Sequence, residues 1–178
     1  MSTCRIEGAS RTGAVCQHDR LMHRNVRAVV EAGRALGLDV HPHDYPDGTR
    51  SAADAAMAIG VDLGQIVKCL VFAVDGEAVV ALVSGDNLLD EHKLAGAAGG
   101  ERAWREDADT VRDATGFPVG GVPPFGHREP LRVFVDEDLL LYDELWAAAG
   151  TPHCNFAISP QELVRATGGL VCDLAVRR

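Results

Sequence analysis

The chain has 178 residues, 47% of them hydrophobic and 24% charged, with a formal net charge of −9. That length suits one domain whose core needs no disulfide or metal staples. The acidic balance argues against a broad nucleic-acid footprint, though not against contact with one end of a nucleic acid. No stretch approaches the ~20 apolar residues of a membrane span and no apolar signal core opens the chain, so a cytoplasmic protein with no membrane or DNA partner is expected. Cys4, Cys16, Cys69, Cys154 and Cys172 are odd in number and form no C-x-x-C pair, which makes them reduced thiols rather than a disulfide framework.

Residues 1–20 show no clear apolar period and read as a loose N-terminal extension ahead of a domain over residues 21–178. Val26, Val29, Val30, Gly33 and Leu36 recur at helical spacing, ending near Gly37. LDVHPHDY, residues 38–45, alternates as a strand does. Ser51 and Asp54 stand in capping-box spacing at the head of a short helix through Ile59. QIVKCLVFAV and EAVVALVSG flank Asp75-Gly76 and predict a hairpin. Asp90 opens a helix running to Gly99-Gly100. Residues 107–116 predict another, with Ala108, Val111 and Thr115 on one face. LRVFVDE, LWAAAG and HCNFAI read as strands, the last two joined at Gly150-Thr151-Pro152. Ser159-Pro160-Gln161-Glu162 starts a final helix ending at Gly168, and LVCDLAV closes the chain as a strand. Strands and helices mix without regular βαβ alternation, so the fold class is α+β, with a mixed sheet and flanking helices.

Lys68 is anomalous, because it interrupts an apolar run that reads as a strand covered on both faces. Lys is seldom buried without a partner for its charge, although its stem can snorkel to water. Neighbouring Cys69 reads as a small buried side chain. Residues 115–130, TGFPVGGVPPFGHREP, are too rich in Gly and Pro for helix or strand, and compact domains seldom spend so long a loop on a plain connection. Gly120 and Gly121 free backbone N–H groups to meet a ligand, and Pro123 and Pro124 stiffen the chain. His41, His43 and Asp44 are chemically suited to zinc but lack a nearby third cluster, so a metal hydrolase is a distant alternative. Asp136, Glu137 and Asp138 read as a solvated strand end, with Asp136 able to project into a site.

IGVDLGQIVKCLVF, DGEAVVALVSGDNLLDEHKLA, VRDATGFPVGGVPPFG, LRVFVDEDLL and WAAAGTPHCNFAISPQELVRATGG, in this order, resemble the YbaK/prolyl-tRNA synthetase-associated editing domain superfamily. The resemblance covers residues 24–175. It implies a single domain built on a partly open, barrel-like mixed sheet flanked by helices. It also implies a reaction, hydrolysis of the ester joining a wrong amino acid to its tRNA, with no cofactor. Lys68 aligns with the family's site lysine, and Gly120 to Pro124 fall at its glycine-to-proline loop. Asn155 stands where the cysteine-specific subgroup has aspartate. The implied mechanism holds the oxyanion on backbone N–H groups around Gly120, Gly121 and Val122, with Lys68 at the substrate end. Thr49, Pro123, Pro124, His153 and Asn155 are the expected contacts to the amino acid and ribose. Arg50, Arg128 and Lys68 are candidates for the tRNA acceptor end, and a synthetase is an optional partner. The competing expectation is a non-catalytic module that holds an aminoacyl end or a protein in the same cleft.

Overall fold

In the computed structural model, residues 14–15, 22–45 and 51–177 are described. The elements in chain order are β1 Ala14–Val15, α1 Arg24–Ala35, β2 His43–Asp44, α2 Ala52–Ile59, β3 Ile66–Val74, β4 Glu77–Ser84, α3 Glu91–Ala98, β5 Ala103–Arg105, α4 Ala108–Thr115, β6 Arg132–Asp136, β7 Leu145–Ala148, β8 Cys154–Ile158, α5 Pro160–Thr167 and β9 Leu170–Cys172. Apart from Ala14 and Val15, which pair with β2, the expected extension lies outside the described residues, as do Thr49 and Arg50.

Local chemistry sets the element ends. Asp75 and Gly76 both have positive φ, 50° and 93°, which the two-residue hairpin turn between β3 and β4 demands. Ser51 Oγ accepts from Asp54 N at 3.1 Å while Asp54 returns a bond from Ser51 N, closing the capping box of α2. Ser159 and Glu162 repeat the device on α5 with Pro160 in the first turn. Asp90 caps α3 through His92 N and Lys93 N.

The strands form one mixed sheet in the order β1-β2-β8-β7-β3-β4-β6-β9, with β5 also paired to β3. No pairing joins β1 to β9 among the described residues, so the sheet stays open as expected. Residues alternate between its faces. Val67 and Val71 join Val29 of α1, Val111 of α4 and Leu163 of α5 in the larger core. On the other face Ile66 packs with Ala55 and Ala56 of α2, and Phe72 packs with Leu94 and Ala95 of α3. Lys68 therefore lies between the footprints of two helices, and this is how an apolar strand accommodates it.

Four expectations need correction. Of residues 38–45 only His43 and Asp44 pair as a strand, because Pro42 has no N–H to donate and Leu38 and Val40 turn into the core instead. The last strand stops at Cys172, where Asp173 Oδ1 accepts from Ala175 N and bends the chain. On α4 the third buried residue is Ala114, with Ala108 exposed. Asp136 is not a solvated strand end: it is 0% exposed.

Candidate functional site

The pairing of β3 is split along one edge. β4 follows the strand from Val67 to Val74 on one side. On the other side β7 meets only Ile66 and Val67, and β5 meets only Phe72 to Val74. Lys68, Cys69, Leu70 and Val71 are left without a strand partner on that side among the described residues, although Val71 O is met by Glu106 N just past β5. Backbone groups alternate in direction along a strand. Ile66 O accepts from Gly85 N on the β4 side and Val71 O from Glu106 N on the β5 side, so the N–H and C=O of Cys69 face the gap.

A cleft of about 230 Å³ opens at this gap. Lys68, Cys69 and Val71 of β3 line it, with Ser51, Ala52 and Ala55 from α2, Gly120 and Val122 from the long loop, and Ala148, Pro152 and Asn155. Four of the expected site residues, Lys68, Gly120, Val122 and Asn155, are thus brought together although they come from three separate stretches of chain. Gly121, Pro123 and Pro124 do not line the cleft; they are buried behind it. His153 is exposed in a neighbouring groove, and Arg128 donates to Asp113 O on the far end of α4. Thr49 and Arg50 lie outside the described residues.

The half-buried Lys68 ammonium donates to the main-chain carbonyls of Gly85, at 3.3 Å, and Asn87. An ammonium has three donors, so one remains for a ligand. Burial lowers the Lys68 pKa from its ordinary value, and the carboxylates of Asp136 and then Asp86 oppose that shift. Burial pushes the Cys69 thiol well above its ordinary range, which disfavours the thiolate a nucleophile needs. Asn155 is 6% exposed, and its Nδ2 is a buried donor with no partner among the described residues. Leaving such a group unmatched costs roughly 1–3 kcal/mol, so a ligand acceptor at this point would bind with an added advantage.

The loop is held rigidly against the sheet. A Cβ at Gly121 would sit 2.8–2.9 Å from Thr151 Cα, C and N, so only glycine lets the two loops touch. Gly121 N donates to Pro118 O at 2.9 Å, and the loop residues that line the cleft are Val119, Gly120 and Val122. His127 Nε2 donates to Pro123 O at 2.7 Å, and burial holds the His127 pKa below its ordinary 6.5. Unfolding restores the higher pKa, so the unfolded chain takes up the proton first. The stability tied to neutral His127 is therefore complete above about pH 6.5 and is lost as pH falls from there toward the folded value. Melting temperatures from about pH 8 to 5 are expected to fall more steeply for the wild type than for His127→Gln, whose amide keeps the donor without titrating; parallel curves would remove His127 from this role.

A second groove, about 550 Å³, shares Pro152 with the cleft and is lined by His23, Arg24, Arg112 and His153, with Asp44 as an acid on its wall. His41 pairs with Asp39 at 2.9 Å, and His43 packs edge-on against Trp146. Among the described residues no three His, Cys, Asp or Glu side chains cluster as metal ligands. No described helix is long and apolar enough to cross a membrane.

The sequence profile of the aminoacyl-tRNA editing domain family matches residues 46–166. The chain belongs to that family. The editing domain is 36% identical over 102 residues to a proline–tRNA ligase of Maridesulfovibrio salexigens, a match covering 57% of this chain and 17% of the ligase. It thus spans about one sixth of that relative's length. It is 26% identical over 128 residues to EbsC of Enterococcus faecalis, named as a candidate Cys-tRNA(Pro)/Cys-tRNA(Cys) deacylase, covering 71% of this chain and 78% of EbsC. A crystal structure described as a candidate trans-editing enzyme for prolyl-tRNA synthetase superposes on the editing domain with a TM-score of 0.83 and 43% identity, over 88% of this chain and 99% of that one.

Proposed function

We propose that the protein is a free-standing aminoacyl-tRNA deacylase that hydrolyses the ester of mischarged tRNA in the cleft at the β3 edge. The observation that carries this is the convergence of Lys68, Gly120, Val122 and Asn155, whose amide Nδ2 is unmatched, on one small cleft. At about 230 Å³ it falls below the ~300–1,000 Å³ of sites that enclose drug-sized ligands, and it suits an aminoacyl group rather than a whole nucleotide.

An aminoacyl ester is already activated, so a positioned water suffices as nucleophile. Water adds to the carbonyl carbon, the carbonyl oxygen becomes an oxyanion, and collapse expels the ribose oxygen, which recovers a proton. Oriented N–H groups at the developing oxyanion are the protein's main contribution. Gly120 and Val122 supply them in this reading, since Gly121 N–H is spent on Pro118 O. The remaining Lys68 donor holds the substrate end, Asn155 Nδ2 takes an acceptor on the amino acid or ribose, and a neighbouring ribose hydroxyl assists the water. Arg24, Arg112, His23 and His153 line the adjoining groove where the phosphates of the acceptor end would lie, a local cationic contact on an acidic protein. A synthetase partner and a cytoplasmic setting fit this reading.

The test is hydrolysis of tRNAs carrying Ala, Ser, Thr, Cys and Pro. Rapid loss of one amino acid, dependent on the cleft residues, is the expected result. Binding of these tRNAs in the cleft without hydrolysis of any would replace the deacylase with a binding module.

A further inference from the structure

Asp136 ends β6 with its carboxylate fully enclosed at 0% exposure, a placement that requires compensation for the charge. Its Oδ2 accepts from Ser84 N at 3.2 Å and from Asn87 Nδ2 at 2.7 Å. The same Asn87 amide donates to Asp138 Oδ2 at 2.7 Å, and Asp138 is in turn bridged by Arg177 at 2.8 Å. Two donors make up a primary amide's nitrogen, so the Asn87 side chain is fully committed to two carboxylates. Its main-chain carbonyl is one of the two that receive the Lys68 ammonium. Asn87 is thus pinned by its side chain on the Asp136 side and by its backbone on the Lys68 side.

We propose that Asp136 is a positioning residue of the cleft: through Asn87 it fixes the carbonyl cradle that aims Lys68, and it supplies the buried counter-charge for the ammonium. Asp136 touches no substrate in this scheme. Its catalytic consequence rests on the deacylase reading, whereas its hold on Lys68 does not. The carboxylates facing Lys68 are Asp136 from β6 and Asp86 from the segment after β4, and the second is exposed to solvent, where its field is screened.

Asp136→Asn isolates the charge. An asparagine oxygen in the place of Oδ2 still accepts from both Ser84 N and Asn87 Nδ2, so the bonds to the cradle survive, while the counter-charge is lost together with the long 3.5 Å bond that Oδ1 accepts from Asp138 N. The chain has two lysines, Lys68 and Lys93. Carbon-13 labelling of lysine therefore gives two ammonium titrations by NMR, and Lys93→Arg assigns them. Lys68 is expected to titrate at lower pH in Asp136→Asn than in the wild type, with Lys93 unmoved, and deacylation to slow about tenfold or more in kcat/KM, with its alkaline limb moving the same way. A purely structural role for Asp136 would leave both titrations in place. If Asp136→Asn does not fold, Asn87→Ala reads the other half of the scheme: the Lys68 methylene signals should sharpen as the cradle loosens. An unchanged Lys68 titration in folded Asp136→Asn, or unchanged Lys68 signals in folded Asn87→Ala, overturns the proposal. A wild type that hydrolyses none of the aminoacyl-tRNAs would overturn the deacylase reading instead, and the lysine titration would still decide the role of Asp136.

Discussion

Lys68→Ala is expected to slow deacylation by about 100-fold or more, the range that follows when one partner of a buried, charge-assisted contact to a ligand is removed. The loss should fall on kcat/KM, because the substrate end loses its anchor in the bound state and the transition state alike. The alanine also empties the space between α2 and α3 and leaves Asp136 without its opposite charge, so some stability is lost with the activity. Lys68→Met separates the two effects, since it keeps the apolar stem and removes only the ammonium. Both variants should retain the wild-type far-UV circular dichroism. A folded Lys68→Met with activity within about threefold of wild type would remove Lys68 from the chemistry.

Gly121→Ala is expected to damage both stability and turnover through the backbone alone. Its added Cβ would press on three main-chain atoms of Thr151 at 2.8–2.9 Å, and main chain yields less readily than a side-chain tip. Overpacking of this kind costs roughly 1–3 kcal/mol. For a domain of this length each kcal/mol lowers the melting temperature by roughly 2–4 °C. Parting the two loops shifts Gly120 and Val122 relative to Pro152 across the cleft, so deacylation should fall further than stability does. Gly96→Ala is the control: nothing lies within 4 Å of a Cβ there, and the exposed helix should gain up to about 1 kcal/mol. Equal melting temperatures for Gly121→Ala and the wild type would contradict the close packing of the two loops.

What the sequence discloses of this molecule depends on how far apart the interacting residues lie. The capping box at Ser51 and Asp54, the Asp75-Gly76 turn and the Ser159-Pro160 start are set by neighbours within three residues, and each stands where its pattern places it. Lys68 is visible as a charge inside an apolar run. Its partners are not, since the Gly85 and Asn87 carbonyls reach it across 17 and 19 positions and belong to the backbone, which every residue carries. Asp136 meets Ser84 and Asn87 across 52 and 49 positions, and in sequence it is the first of three acids that resemble a wet strand end. β5 escapes a reading by periodicity because it is three residues long and places Trp104 at 44% exposure. The loop's richness in Gly and Pro shows that it does not form regular structure. Which of its residues face the cleft depends on contact with Thr151 and Pro152, more than twenty residues downstream.

The interrupted pairing of β3 also bears on how the protein stays apart from copies of itself. A strand with unmatched N–H and C=O groups is a template on which another chain can add, and long flat edges are recurrent starting points of aggregation. In this sheet the unmatched stretch is Lys68 to Leu70, stopped by β7 on one side and β5 on the other and walled by Gly120 and Val122. A small ligand can reach the Cys69 backbone there, but an incoming strand finds too short a ladder to zip onto. The same main-chain groups are thus offered to a substrate and withheld from a second molecule of the protein.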